Sequence, residues 1–180
     1  DLAEMLQTPV IVVSDLDLGM NESMSPPLEW KDQRKYDRGK VLSPQDLESL
    51  SGTFARYRDI DGDGIPYRTY PGSHPDKGAY FTRGTAHNEH AVYSESGSDY
   101  VRNMDRLLKK WQTAKSYVSA PIVKRAGGGS NFGVIYYGSS EAATLESVDI
   151  LSVQGLNIDS LGLKAFPFNV KVEEFIASHD

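Results

Sequence analysis

The stretch of sequence that decides the fold reads Phe132-Gly133-Val134-Ile135-Tyr136-Tyr137-Gly138-Ser139-Ser140. Its aromatic and β-branched residues predict a strand over 132–137, followed by a helix from Glu141 to Gln154. A second strand is predicted from Leu161 to Phe166. A strand, a helix and a strand in this order predict a βαβ unit with a right-handed crossover, and therefore the start of an α/β domain.

The end of another α/β domain is predicted at the beginning of the sequence. Apolar residues recur at helical spacing over 2–6, and Thr8-Pro9 ends that helix. The β-branched run Val10-Ile11-Val12-Val13 then predicts a buried parallel strand. We expect the polar hinge Lys124–Ser130 to separate the two pieces, so that Val10–Val13 and Phe132–Tyr137 lie in different sheets.

The sequence between these two pieces is irregular from Ser25 to about Tyr100. A loop region of this length is uncommon unless it is functional or packs on a partner, and its many aromatic residues favour packing over disorder. An amphipathic helix is predicted from Ser98 to about Ala120. The sequence therefore predicts four parts, namely the end of a first α/β domain (1–24), a loop-rich arm or interface segment (25–98), a connecting helix with a linker (99–123) and the start of a second α/β domain (124–180).

Composition excludes several classes of function. The 180 residues carry a formal net charge of −6 and no cysteine. An acidic chain is poorly suited to nucleic acid, and without thiolates this stretch cannot hold a cysteine-ligated iron–sulfur cluster. The apolar runs are too short to cross a bilayer and no signal peptide opens the sequence, so we expect a cytoplasmic protein without a membrane partner. Because both ends fall within predicted helices, we also expect a segment of a longer polypeptide.

Polar side chains follow the first predicted strand. Asp15, Asp17 and Asn21 come directly after Val10–Val13. The ligand crevice of open α/β sheets lies beyond the carboxyl ends of the strands, which makes these three residues candidates for cofactor binding. Alternatively, short polar side chains cap their own loop by bonding to its backbone.

The loop Arg83–His90 concentrates side chains that carry chemistry. His87, Asn88 and Glu89 are candidate catalytic residues, because imidazole, amide and carboxylate groups together orient a substrate and move a proton. Arg83 and His90 are candidates for substrate or partner contact. The alternative is a hydrogen-bonded structural loop at an interface.

Two further stretches have functional and structural interpretations. Ser139 and Ser140 follow the predicted strand and begin the next helix, where free N–H groups bind a carboxylate or phosphate or form a plain helix cap. Residues 59–65 match the first half of a calcium-binding EF-hand loop, but Tyr70 stands where the bidentate glutamate is required. We therefore interpret 59–65 as a turn and predict no metal site.

Several motifs in the same order resemble the α subunit of 2-oxoacid:ferredoxin oxidoreductases, and the 2-oxoglutarate branch most of all. The resemblance is carried by Gln7–Asn21, Asp61–Gly72, Ala79–His87, Asn103–Lys110 and Ala165–Phe168. It implies that the first domain is the thiamine pyrimidine-binding domain and that the second is a transketolase C-terminal-like domain.

The resemblance also implies an activity, cofactors and partners. The reaction is the oxidative decarboxylation of a 2-oxoacid with coenzyme A to an acyl-CoA, carbon dioxide and reduced ferredoxin. Thiamine diphosphate with Mg²⁺ and a 4Fe–4S cluster are expected mainly on the partner β subunit, a second αβ unit is expected, and no cofactor is expected on this stretch alone.

Departures from the family pattern limit what this stretch is expected to do. The Tyr-Pro-Ile-Thr-Pro motif that binds substrate and the glutamate that activates the aminopyrimidine are not in this sequence. Asn88 stands where relatives often carry Asp. We therefore expect no turnover from this stretch alone, and a second hypothesis is a segment that only holds the subunits together.

Overall fold

The computed structural model describes residues 1–22 and 24–180. Within these residues the chain forms two compact units. The first unit contains Asp1–Val10 and Lys35–Ala114, and the second contains Ile11–Arg34 and Lys115–Asp180. The elements in chain order are α1 (Leu2–Leu6), α2 (Leu16–Met20), α3 (Pro44–Glu48), α4 (Gly97–Ala114), β1 (Ile122–Lys124), β2 (Gly133–Tyr137), α5 (Ser140–Val153), β3 (Asp159–Leu163) and α6 (Val170–Ala177).

The first unit has little regular structure outside α4. Leu6, Ile65 and Ala114 form its buried cluster, and Leu2 packs against them. The predicted irregular segment 25–98 is confirmed in this respect, because its described residues contain only the short helix α3, the first residues of α4 and isolated bridges. The assignment of 25–98 to an arm or interface remains a prediction.

Helix α4 ends six residues before the predicted end at Ala120. Pro121 follows Ala120 and disfavours helical backbone at the residue before it. Lys115 is also bonded outside the helix, since its carbonyl oxygen accepts a hydrogen bond from Asn169 and its ammonium group pairs with Glu173. The predicted apolar face of α4 is real but mostly exposed, and only Ala114 on this helix is buried.

A tight bend over residues 59–64 packs against α4. The Asp59 carboxylate accepts hydrogen bonds from the N–H groups of Gly62, Asp63 and Gly64. Gly64 adopts a φ of 79° and lies so close to the helix that an added Cβ would approach the backbone nitrogen of Lys110 and the carbonyl oxygen of Arg106. Only glycine satisfies both the conformation and the space at this position.

The second unit contains the α/β sheet that the sequence predicts. Its three strands have the order β1-β3-β2, with β2 parallel to β3 and β1 antiparallel to β3. Helix α5 connects the two parallel strands, so the βαβ unit and the α/β class are confirmed. Leu161, Val172 and Phe175 form the buried cluster, with Val123 and Leu163 packed against it.

Two strand boundaries differ from the sequence-based prediction. Strand β3 begins at Asp159, two residues before the predicted start at Leu161, and ends at Leu163 instead of Phe166. Its first residues, Asp159 and Ser160, are buried although they are polar. A prediction from the pattern of hydrophobic residues therefore starts the strand too late. Strand β1 was not predicted, because three residues after Pro121 are too short a run to show alternation.

The predicted strand over Val10–Val13 is wrong for this structure. These four residues form no strand, and their exposure ranges from 46% to 91%. A buried parallel strand requires hydrogen-bonded neighbours and apolar cover on both faces, and the described residues supply neither. The following residues, predicted as a loop, instead form the short helix α2.

Asp159 anchors the second unit from inside the sheet. Its carboxylate accepts hydrogen bonds from the Ala126 N–H at 2.7 Å and from Arg125 Nη1 at 2.6 Å, and its Oδ2 lies 3.2 Å from His179 Nε2. Burial alone would raise the pKa of Asp159, but the hydrogen bonds from these three residues hold it below its usual value of 3.8. The carboxylate therefore remains ionised and ties two loops to β3.

No helix in the described part of the chain combines the length and apolar character needed to cross a bilayer.

Gly64→Ala is expected to destabilise the first unit more than Gly52→Ala. Both glycines have positive φ, so each substitution carries the left-handed backbone cost of about 1–2 kcal/mol. A Cβ at Gly52 meets nothing within 4 Å, whereas one at Gly64 meets the α4 backbone and adds about 1–3 kcal/mol of overpacking. Urea unfolding of both variants measures the difference, and equal losses would contradict the close packing.

Asp159→Asn is expected to cost about 2–3 kcal/mol, because it removes a charged acceptor from Arg125 and His179. The folded pKa of Asp159 lies below the unfolded value, so this stability is present above about pH 4 and is lost as pH falls through the folded pKa. Unfolding free energy measured against pH should therefore decline less steeply in acid for Asp159→Asn than for the parent. Asp149→Asn, at an exposed position on α5, is the control, and an identical profile for both variants would contradict the anchor.

Candidate functional site

The Arg83–His90 loop is folded against Tyr57 and α4 in the first unit. The Tyr57 N–H donates a hydrogen bond to the carbonyl oxygen of Glu89 at 2.9 Å, and His87 forms a β-bridge with Tyr93. The loop turns back at Ala91, which is fully buried and has a φ of 69°. These contacts give the loop a fixed shape although it contains no helix or strand.

Asn88 shapes this turn. Its side-chain Oδ1 accepts hydrogen bonds from the His90 N–H at 2.9 Å and the Val92 N–H at 3.1 Å. Its own N–H donates to the Val92 carbonyl oxygen. The amide predicted as a catalytic candidate is therefore committed to the backbone of its own loop, and its role is to position its neighbours.

His87 is the best placed candidate for proton transfer. Its ring stacks on Tyr57 with 3.8 Å between centroids, and Asn103 of α4 donates a hydrogen bond to its carbonyl oxygen. Nδ1 lies 3.1 Å from the carbonyl oxygen of Asn88 and 3.5 Å from the amide nitrogen of Asn103, so contacts on both sides hold the ring in place. An imidazole held in this way is a suitable group to accept or donate a proton.

Glu89 is held as a fixed anion. Its carboxylate lies 2.5 Å from Arg58 and 3.3 Å from His90. The hydrogen bond from Arg58 lowers the pKa of Glu89, and burial only partly opposes it. A carboxylate so paired is a poor proton donor, so Glu89 serves to fix the loop and Arg58. Arg83 is exposed and makes no ion pair with any residue that the structure describes.

A cavity of about 180 Å³ lies beside this loop. We call it the arginine pocket, after three residues in its lining, and its walls include Tyr57, Arg58, Glu89, Arg102, Asn103 and Arg106. Tyr57 and Asn103 also hold His87, so one set of side chains shapes both features. Arg58 is paired with Glu89 and Arg102 with Asp99, whereas Arg106 donates to the carbonyl oxygen of Gly64.

The sequence analysis did not identify the site residues that lie outside the Arg83–His90 loop in sequence. Tyr57, Asn103 and Arg106 were not predicted as site residues. The only signal was the recurrence of basic residues on α4 outside its apolar face, a pattern more typical of a solvated helix surface.

In the second unit the structure brings Asp15 and Ser139 together. Asp15 caps α2 by accepting a hydrogen bond from the Leu18 N–H, and its Oδ2 accepts another from the Ser139 N–H at 2.9 Å. These two hydrogen bonds, that from Leu18 first, hold the pKa of Asp15 below its usual value. The anion predicted for the start of α5 is thus the chain's own carboxylate. Ser140 donates a hydrogen bond to the carbonyl oxygen of Tyr137.

The structure does not bring the remaining predicted residues together into a site. Asp17 lies in the first turn of α2 and Asn21 caps the other end of this helix, and both residues are exposed. In the 59–65 turn, the Asp59 carboxylate is bonded to the backbone, and Asp61 and Asp63 pair with Lys40 at 2.6 Å and 2.8 Å. Among the described residues no cluster of His, Asp or Glu side chains is arranged to hold a metal ion.

Asn103→Ala is expected to loosen the His87 loop. The amide donates to the His87 carbonyl oxygen across 16 residues of sequence, and losing one such hydrogen bond costs about 1 kcal/mol. Amide hydrogen exchange over residues 86–94 should accelerate roughly fivefold if the loop opens locally. Asp105→Ala, at an exposed position on the same helix, should leave this exchange unchanged. Equal exchange in both variants would contradict the support from α4.

The comparisons with known proteins agree with this fold. The chain is similar in structure to 2-oxoglutarate:ferredoxin oxidoreductase from Magnetococcus marinus, a structure with 2-oxoglutarate, coenzyme A and succinyl-CoA bound, at a TM-score of 0.75 and 22% sequence identity. The match covers 99% of this chain and 30% of that chain. No family model matches the sequence. At this identity the likeness establishes the fold, which is that of part of an oxidoreductase chain.

Proposed function

We propose that this chain is a segment of the α subunit of a 2-oxoacid:ferredoxin oxidoreductase. The observation that carries the proposal is the structural match over 99% of the chain to a 2-oxoglutarate:ferredoxin oxidoreductase. The sequence motifs that resemble the same family support it independently, because they were identified from residues alone. The chain spans 30% of the length of the matched chain, so the activity belongs to a larger assembly.

The proposed reaction converts a 2-oxoacid and coenzyme A to an acyl-CoA and carbon dioxide, and two electrons pass to ferredoxin. We propose 2-oxoglutarate as the 2-oxoacid, since the matched structure binds it together with coenzyme A. Thiamine diphosphate with Mg²⁺ supplies the carbanion chemistry in this scheme. We assign a 4Fe–4S cluster to a partner β subunit, because this stretch contains no cysteine to hold one, and we propose a second αβ unit and a cytoplasmic location for the complex.

Within this function, we assign the first unit the task of placing His87. Tyr57 stacks on the imidazole and Asn103 holds the His87 carbonyl oxygen, and in this proposal the ring accepts a proton from a substrate group or returns it. Asn88 and Glu89 set the shape of the loop and take no proton. Arg83 and His90 are assigned to contact with the partner subunit, because Arg83 is exposed and lacks an internal partner.

The alternative is a segment that holds the subunits together without chemistry. The observation that favours it is the exposed apolar run Val10–Val13, followed by exposed Leu16, Leu18 and Met20. Soluble proteins rarely leave such a surface uncovered, so another part of the assembly is expected to cover it. Kinetics and assembly of the same variants separate the two functions.

His87→Ala in the complete enzyme, assembled with its partner subunit, is expected to lower kcat by about 100-fold or more, the scale of losing a general acid or base. The rate is measured as reduction of ferredoxin that depends on both 2-oxoglutarate and coenzyme A. Size-exclusion chromatography should show an unchanged assembly. His74→Ala is the matched control, because His74 pairs with Glu48 away from the His87 loop.

Two outcomes would count against parts of the proposal. An unchanged kcat together with weakened assembly would transfer the loop to the structural alternative. A parent enzyme that forms no acyl-CoA from any 2-oxoacid would remove the proposed reaction itself.

A further inference from the structure

Several cations of the first unit have no carboxylate partner among the described residues. Three of them, Arg56, Arg106 and Lys110, are partly buried and lie close enough for their charges to act on one another, and we call these three the cationic cluster. No Asp or Glu oxygen in the described part of the chain lies within ion-pair distance of any of them, although Arg58 and Arg102 nearby are both paired. Half-buried charges are normally compensated by a counterion, so this cluster is unusual.

Two of the three side chains lie beside Tyr57. The guanidinium carbons of Arg56 and Arg106 lie 5.1 Å and 5.7 Å from the centroid of the Tyr57 ring. Lys110 follows Arg106 by one helical turn on α4. Arg106 also lines the arginine pocket, which connects the cluster to a cavity of about 180 Å³.

Two donors of the cluster are buried without an acceptor. Nη1 of Arg56 and Nε of Arg106 make no hydrogen bond with the described residues. The hydrogen bonds that the cluster does make go to neutral oxygens. Arg106 donates to the Gly64 carbonyl, Lys110 to the Gln7 carbonyl and Arg56 Nε to the Tyr80 hydroxyl. Neutral acceptors satisfy a donor but do not compensate a charge, and a buried donor without a partner is costly.

The electrostatic environment also lacks an anion. Burial lowers the pKa of Arg106 and of Lys110, and the positive charges of their neighbours lower both further. Asp59 is the carboxylate that acts on Arg106, and it is already bonded to three backbone N–H groups. The cluster and the cavity lining together contain five cations (Arg56, Arg58, Arg102, Arg106 and Lys110) and three carboxylates (Asp59, Glu89 and Asp99), which leaves two positive charges.

We propose that the cationic cluster binds a phosphate group. A dianion matches the two uncompensated charges, and the fork of N–H donors on a guanidinium pairs with two phosphate oxygens at once. The adjoining cavity has room for it, since a water molecule occupies only about 30 Å³. The lining of this cavity also contains the ion pairs Arg58–Glu89 and Arg102–Asp99, so that Arg106 is the arginine of the lining without a carboxylate partner. The site does not depend on the proposed reaction.

Binding of inorganic phosphate to the complete protein tests the site. We expect isothermal titration at low salt to detect it, and Arg106→Gln and Arg56→Gln each to raise Kd about 10-fold or more, which corresponds to about 1.4 kcal/mol per lost cation. Lys109→Gln is the matched control, because Lys109 is exposed on α4 next to Lys110 and loses the same charge. If Arg106→Gln fails to fold, Arg56→Gln, outside any helix, still tests the proposal.

Two sources of phosphate are distinguished by a second titration, with glycerol 3-phosphate. Binding as tight as that of inorganic phosphate indicates a phosphate ester whose remainder occupies the arginine pocket, and weaker binding indicates free phosphate. Succinate tests the chemistry, because a dicarboxylate that binds equally well overturns the assignment to phosphate. Equal loss of phosphate binding in Lys109→Gln, or no binding to the parent, overturns the site.

Discussion

The contact between the 59–64 bend and helix α4 is the interaction on which the first unit depends. Residues 49–96 form no helix or extended strand, so their backbone groups cannot be satisfied by regular hydrogen-bond ladders. The Asp59 carboxylate closes the bend, and Gly64 lets its backbone lie directly on the helix. Once α4 is fixed, its Asn103 reaches the His87 loop and its Arg106 reaches the arginine pocket. One helix therefore positions both functional features.

Pairing of charges explains how an acidic chain contains a cationic cluster. Asp61 and Asp63 pair with Lys40, and Glu89 pairs with Arg58. These carboxylates contribute to the net charge of −6 but are compensated locally, and the unpaired cations remain. Net charge governs solubility and long-range encounter, whereas the electrostatics of a site depend on the few charges within about 8 Å, the Debye length at physiological salt.

The sequence predicts those parts of the fold whose residues carry their own periodic signal. The strand at Gly133–Tyr137 and helix α5 follow their patterns closely. The start of β3 at Asp159 and Ser160 could not be predicted, because both residues are polar. The Asp159 carboxylate is buried against Arg125 and Ala126, which lie far away in the sequence. The run Val10–Val13 shows the opposite error, since a strand pattern forms a strand only when neighbouring strands are present. Within the site, His87 could be chosen as a candidate because of its residue type. Its contacts with Tyr57 and Asn103 could not be predicted, because they join residues far apart in the sequence.

We propose that the first unit places His87 at the reaction site of a 2-oxoacid:ferredoxin oxidoreductase. The most direct test is a structure of the complete protein with its partner subunit, determined with thiamine diphosphate and 2-oxoglutarate. We expect His87 Nε2 to lie about 3 Å from a substrate or cofactor atom, or to be joined to one by a single water. An occupied reaction site with His87 on a different face of the assembly would contradict it.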